Sequence, residues 1–275
     1  MNDEKAQAAA RAPRWQRWVY LGALMLTGEA IYMLPYLRKT FQTTMQDVLA
    51  LSASEVGLLN SMFGLLALAC YFPGGWLADR FSARGLITFS LAATSLGGLA
   101  MLLLPGFPGL LAIHAYWGIT SILTFWAALI KATRGWGGHT TQATGFGLLD
   151  GGRGAVAAVL ATAAAAAFAV ASSPKAGLQN VLLVYSGACL LAAALSWWLI
   201  PTDVALEAQP ASGTAEQRPN WAGLRKQLLQ VARNRAVWLM AGLIFCAYFL
   251  YLGTFDLPAY AERAHGQSKT YGAAL

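Results

Sequence analysis

Apolar residues along this chain run in blocks of about 20, the length that carries a helix across a bilayer, with polar clusters and prolines between them. The blocks fall at 18–38, 54–78, 86–104, 109–131, 143–171, 179–200 and 236–258 and predict seven transmembrane helices. Within 86–104 and 155–171 apolar residues cover nearly every face. That suits helices set among lipid and other helices, whereas barrel strands would alternate apolar and polar positions over roughly ten residues. Pro105 and Pro108 punctuate the turn after the third block, Ser172, Ser173 and Pro174 the turn after the fifth, and Pro201 follows the sixth. Residues that cannot continue a helix belong at those places. The expected class is an all-α integral membrane protein. Its parts are a tail at 1–17, a six-helix bundle at 18–200, a linker at 201–235, and a seventh helix with its following loop at 236–275.

Composition agrees: 57% of residues are hydrophobic and 11% charged, against roughly a quarter charged in soluble domains. The net charge of +7 would point to nucleic acid in a soluble protein, but here its distribution makes it a topology signal, and no nucleic-acid partner is expected. Most basic residues, among them Arg14, Arg17, Arg80, Arg84, Lys131 and Arg134, fall on the amino-terminal side of the membrane. Arg38, Lys39, Lys175, Arg263 and Lys269 fall opposite. The positive-inside rule therefore expects a cytoplasmic amino terminus in a multi-pass inner membrane protein, with no removable signal peptide. In the linker, Leu224, Leu228 and Val231 recur at helical spacing among Arg and Lys, which fits an interfacial amphipathic helix or a solvated connection.

No enzyme chemistry surfaces. Cys70, Cys189 and Cys246 lie inside apolar blocks without paired spacing, and His114, His139 and His265 are scattered, so neither a metal site nor a cofactor is expected. The order of residues does repeat. The first block ends Leu34, Pro35, Tyr36 and its loop runs to Ser52, Ser54, Glu55, Val56 and Gly57; the seventh ends Leu257, Pro258, Ala259, Tyr260 and its loop runs to Ser268, Lys269, Thr270, Tyr271 and Gly272. A fold of two homologous six-helix halves would read this way. The sequence stops where an eighth span would open, so a carboxyl-terminal truncation is expected, with a natural seven-helix protein as the alternative.

Between the second and third blocks stand Gly74, Gly75, Trp76, Leu77, Ala78, Asp79, Arg80, Phe81, Ser82, Ala83, Arg84 and Gly85. This resembles the G-x-x-x-D-R/K-x-G-x-R/K-R/K loop of the major facilitator superfamily. Gly75, Asp79, Arg80 and Arg84 match in register, while Ser82 and Gly85 depart from the second Gly and the last basic residue. By itself, Gly75 would let helices approach closely, and Asp79 would cap a helix amino terminus or pair with a base. The resemblance implies the amino-terminal bundle of a major facilitator fold plus the first helix of the second bundle, with Asp79 latching a gate. His114 and Gly118 stand where many members carry R-x-x-x-G. The runs Arg134, Gly135, Trp136, Gly137, Gly138 and 145–154 look closer to a bacterial branch grouped with nitrate/nitrite and organic-anion carriers.

Charges deep in a bilayer are costly, so those that persist face a cavity or a partner. Glu29 lies about 11 residues into its block, roughly 16 Å at helical rise, and shares a helical face with Gly22, Tyr32 and Tyr36. A carboxyl there suits proton coupling, or else pairs with a base across the bundle. Arg153 offers a fork of donors for an anionic group. Asp150, three residues earlier, shares its face and would neutralise it locally. Gly147, Gly151 and Gly154 would permit close packing and keep space, and His114, Trp117 and Tyr116 would wall the site unless they serve packing. Spans one, four and seven line the solute path in the resembled family, with two and five beside them. The expected function is secondary transport, a symport in which Glu29 carries the proton, of a small anionic or polyhydroxylated solute by alternating access. The alternatives are an uncoupled sugar or drug carrier and a transport-dead sensor or assembly protein.

Overall fold

The computed structural model describes residues 14–137, 141–201 and 230–267, and every regular element among them is helical. Most of the amphipathic stretch at 221–231, His139 and the loop residues from Ser268 onward lie outside the described residues. Helix α1 (Arg14–Met33) stops at a turn holding Pro35, and a second helix, α2 (Arg38–Leu49), follows at once. That corrects the sequence reading twice. The first span ends earlier than 38, because Pro35 lacks the N–H that continues the ladder, and the stretch toward Ser52, read as loop, is helical. Phe41 and Met45 of α2, with Leu37 just before it, form a stripe at four-residue spacing that is buried in the core.

A reciprocal cap starts α3 (Ala53–Arg80). Ser52 Oγ accepts from the Glu55 N–H at 3.2 Å while the Glu55 carboxylate accepts from the Ser52 N–H at 2.8 Å. Ser82 caps α4 (Ala83–Met101), its Oγ accepting from the Gly85 N–H at 3.1 Å. Next, α5 (Phe107–Ser121) runs through a π-helical turn (Ile122–Trp126) into α6 (Ala127–Gly137). Two long helices follow, α7 (Gln142–Ala169) and α8 (Pro174–Leu199), the latter capped by Ser173 with Pro174 in its first turn. Among the described residues, five segments are long and apolar enough to cross a membrane: Ala53–Arg80, Phe107–Trp136, Gln142–Ala169, Pro174–Leu199 and Arg235–His265. Of the other two expected spans, α1 is diluted by Arg14, Arg17 and Glu29, and α4 by Arg84 and its hydroxyls.

Two compact units divide the chain, one of 1–208 with 258–275 and one of 209–257. In the first, α4 lies along α8, α3 along α5, and α1 against both α7 and α8. Small residues set these approaches: a methyl added at Gly118 would lie 2.5 Å from the Phe63 carbonyl oxygen of α3, and one at Gly97 would strike the Trp117 indole. Hydroxyls stitch α4 to α5, with Thr94 and Thr120 2.9 Å apart, Tyr116 donating to the Ala93 carbonyl at 2.8 Å and Ser90 to that of Thr120. In the second unit α9 (Arg235–Gly253) begins at Asn234, whose side-chain oxygen accepts from the Ala236 N–H at 3.0 Å. After it, α10 (Leu257–His265) runs from Pro258 within the first unit.

Candidate functional site

Three elements of the first unit bring charge and aromatic faces together. Arg153 of α7 reaches α1, where its Nη2 lies 3.3 Å from Glu29 Oε2, and its Nη1 lies 3.2 Å from Asp150 Oδ1 one turn back. Arg153 and Glu29 are largely enclosed, with side chains 19% and 15% exposed, whereas Asp150 is 70% exposed. The guanidinium carbon lies 5.7 Å from the Tyr32 ring centroid and 6.0 Å from that of Trp126, within cation–π range of both. Tyr32 stacks on Tyr36 at 5.7 Å and meets Phe125 edge-on at 6.4 Å, and Tyr36 meets Phe63 at 5.5 Å. The aromatic row thus leads from Arg153 along α1 to the turn before α2.

Both terminal nitrogens of Arg153 face a carboxylate, while its Nε is buried with no hydrogen-bond partner. That unsatisfied donor costs free energy unless a solute or water meets it. Gly28 makes the arrangement fit: a methyl there would stand 3.0 Å from Arg153 Cδ and 3.3 Å from Leu129 Cδ2. Glu29 stands one turn from the end of α1 at Met33, so it is less central in its helix than the expected span implied.

Other expected site residues sit elsewhere. His114 is buried, its Nδ1 2.9 Å from the Leu110 carbonyl and its ring 5.1 Å from Trp117. Trp117 is fully buried and donates through Nε1 to the Thr94 carbonyl at 3.0 Å. Trp117 is thus bonded to α4 at the packing of α5, and His114, bonded within its own helix, lies buried beside it. The residues that sequence reasoning missed are Trp126, Phe125 and Gly28. Trp126 and Phe125 belong to the π-helical turn, whose widened pitch no apolar run reveals. Gly28 had a signal, a residue without side chain next to the one acid of its span.

The loop joining α3 to α4 is built around its basic residues. Arg80 lies over Trp76 at 4.0 Å and Arg84 over Trp197 of α8 at 4.3 Å. Lys131 of α6 donates to the Ala78 carbonyl at 3.0 Å, so a cation closes the end of α3 where carbonyls lack partners. Asp79 is exposed, and the capping expected of it is done by Ser82. The close approach expected of Gly75 belongs to its neighbour. A methyl at Gly74 would stand 3.0 Å from the Leu123 carbonyl oxygen of the π-helical turn, while one at Gly75 would meet nothing within 4 Å. Likewise Gly147, Gly151 and Gly154 have open space beside them, and Gly152 is the glycine of that run that packs, against Met25.

Residues 17–275 match the family model described as Major Facilitator Superfamily. The chain belongs to that superfamily. Two curated relatives come from Escherichia coli (strain K12). Inner membrane protein YqcE is 30% identical over 255 residues, which are 92% of this chain and 59% of the relative. Inner membrane protein YihN is 29% identical over 244 residues, 88% of this chain and 57% of the relative. The chain therefore spans somewhat under three fifths of the length of these relatives. A solved structure, that of a bacterial homolog to the human lysosomal transporter Spinster in an inward-facing and unoccupied conformation, superposes with a TM-score of 0.71 at 18% identity, covering 96% of this chain and 59% of that one. The helices are thus those of a major facilitator fold. Within it, Gly75, Asp79 and Arg80 at the end of α3 and Arg84 at the start of α4 flank the junction of the two helices, the place their resemblance to the superfamily signature requires.

Proposed function

We propose that this chain serves secondary transport of a small solute across a bacterial inner membrane, with its amino terminus in the cytoplasm, by alternating access around Arg153. The observation that carries this reading is the guanidinium held between Glu29 at 3.3 Å and Asp150 at 3.2 Å. Two carboxylates on one guanidinium leave the cluster with excess negative charge when both are ionised, so an anion is repelled. A proton on Glu29 removes one of those charges and frees Nη2. An acidic group of the solute then takes the vacated donor together with the unpartnered Nε, a fork that suits a carboxylate, phosphate or sulfonate. Proton and anion are coupled because the Arg donor serves either ionised Glu29 or the solute. Tyr32 and Trp126 flank the guanidinium with aromatic rings for the rest of the solute, which fits a polyhydroxylated or otherwise organic anion. Chemistry at a covalent bond has no part in this reading, and no cofactor is needed.

Uptake of a panel of labelled organic anions and sugars into vesicles carrying the protein, started by acidifying the outside, tests it. We expect a pH jump to drive accumulation of an acid and Glu29→Gln to abolish that accumulation while sparing exchange of solute for solute. Equal uptake with and without the pH gradient would instead make the protein an uncoupled carrier. Binding without movement would make it a sensor.

A further inference from the structure

At the membrane face opposite the amino terminus, two helices far apart in sequence are joined by polar side chains. Thr43 of α2 donates its hydroxyl to the Glu262 carboxylate of α10, and Arg263 of α10 donates to the side-chain oxygen of Gln46. On α2 the partners are buried, Thr43 at 7% and Gln46 at 6% exposure, and on α10 Pro258, Ala259 and Ala261 are buried beside them. The contact is therefore packed as well as bonded. Each helix is tied to a Leu-Pro pair at the end of a span: Leu34 and Pro35 lie in the turn before α2, and Leu257 and Pro258 open α10. The repeat in the sequence thus recurs in space as two equivalent helices that meet.

We propose that α2 and α10 form a clasp that closes the site to that face, with Glu262 and Arg263 as its movable half. Each ionised side chain is matched to a neutral partner. Such a bond is stronger than one between two neutral groups, yet parting it leaves no buried charge behind. A joint built this way holds firmly and opens without the penalty of splitting a buried ion pair. It also stands close to the site: the row from Arg153 through Tyr32 to Tyr36 ends at the turn from which α2 starts. This inference rests on the transport reading for its purpose but not for its test.

The test uses the full chain with Cys70, Cys189 and Cys246 replaced by serine and a protease site placed within 202–229. Thr43→Cys with Glu262→Cys should oxidise to a disulfide that keeps the two cleaved fragments together on a non-reducing gel. Separately, a reporter cysteine at Tyr36 should react with an impermeant thiol reagent from that face about a hundredfold faster once Glu262→Ala and Arg263→Ala are combined, the change expected from losing two charged hydrogen bonds at about a decade each. The single variant Gln46→Ala, which keeps both charges, should show a smaller rise in the same direction. Fragments that separate after oxidation, or a reporter rate unmoved in a double variant of normal thermal stability, would overturn the clasp. Cross-linking and reporter rates as expected, with no solute moved, would leave the clasp standing and remove the transport reading alone.

Discussion

Arg153 Nη2 lies 3.3 Å from Glu29 Oε2 and ties α7 to α1 through one ion pair in a setting that is mostly enclosed. Both charges would be costly alone at that depth, so each is the reason the other is tolerated. Removing Arg153 leaves Glu29 uncompensated, whereas removing Glu29 leaves Arg153 with Asp150 at 3.2 Å, so the two single variants need not behave alike.

Arg153→Ala should weaken binding of an anionic solute by one to two decades, since a hydrogen bond to a charged group contributes roughly 1.5 to 3 kcal/mol and a decade is about 1.4 kcal/mol. Arg153→Lys keeps the charge without the fork and should recover part of the loss. Equilibrium binding of the labelled solute to detergent-purified protein measures both. An Arg153→Ala protein that folds and binds as before would reduce Arg153 to a partner of the two carboxylates.

Gly28→Ala separates the site from the fold. An added methyl gains helix propensity, about 0.8 to 1 kcal/mol, but here it would meet Arg153 Cδ at 3.0 Å and push the guanidinium from Glu29. Gly22→Ala, where the same methyl meets nothing within 4 Å, is the control. Solute affinity should fall several-fold in the first variant and stay level in the second, while thermal unfolding of both remains near that of the parent.

Trp117→Phe should cost stability and leave affinity alone. The indole is fully buried and gives its N–H to the Thr94 carbonyl, so the substitution removes about 1 kcal/mol of hydrogen bonding and part of the packing. A lower unfolding midpoint with unchanged solute binding is expected. A large loss of affinity would return Trp117 to the solute path.

Asp79→Asn should slow turnover with little change in equilibrium affinity, because Asp79 is exposed in the last turn of α3 beside Arg80, whereas the Glu29 and Arg153 pair is held by α1 and α7. Counterflow rates compared with binding constants would show it. Normal cycling with a large affinity loss is the contrary result.

Cysteines placed singly at Ser212 and at Ser172, in a background where Cys246 is serine, should differ in intact cells. An impermeant thiol reagent is expected to label the Ser172 position and spare that of Ser212, in keeping with basic residues gathered on the amino-terminal side. The reverse pattern would invert the proposed orientation.

Much of this protein was legible before any coordinates. Apolar block length carried the helical membrane class, because a bilayer leaves a chain few ways to satisfy its backbone, and the loop of Gly75, Asp79, Arg80 and Arg84 carried the family. The charges within spans marked Glu29, Asp150 and Arg153 as residues needing partners, since an ionised group in hydrocarbon persists only with a reason. What the sequence by itself left open was which partner each would find, and there only tertiary structure decided. Arg153 meets both carboxylates because α7 lies along α1 at Gly28, whereas His114 and Trp117 turn into packing because α5 lies against α3 at Gly118 and against α4 at Gly97. The π-helical turn that carries Trp126 to Arg153, and the meeting of α2 with α10, join residues distant along the chain. Periodicity records which face of a helix is apolar, but not which neighbour covers it. That choice depends on close approaches of one helix to another, which a single glycine permits and a single methyl forbids.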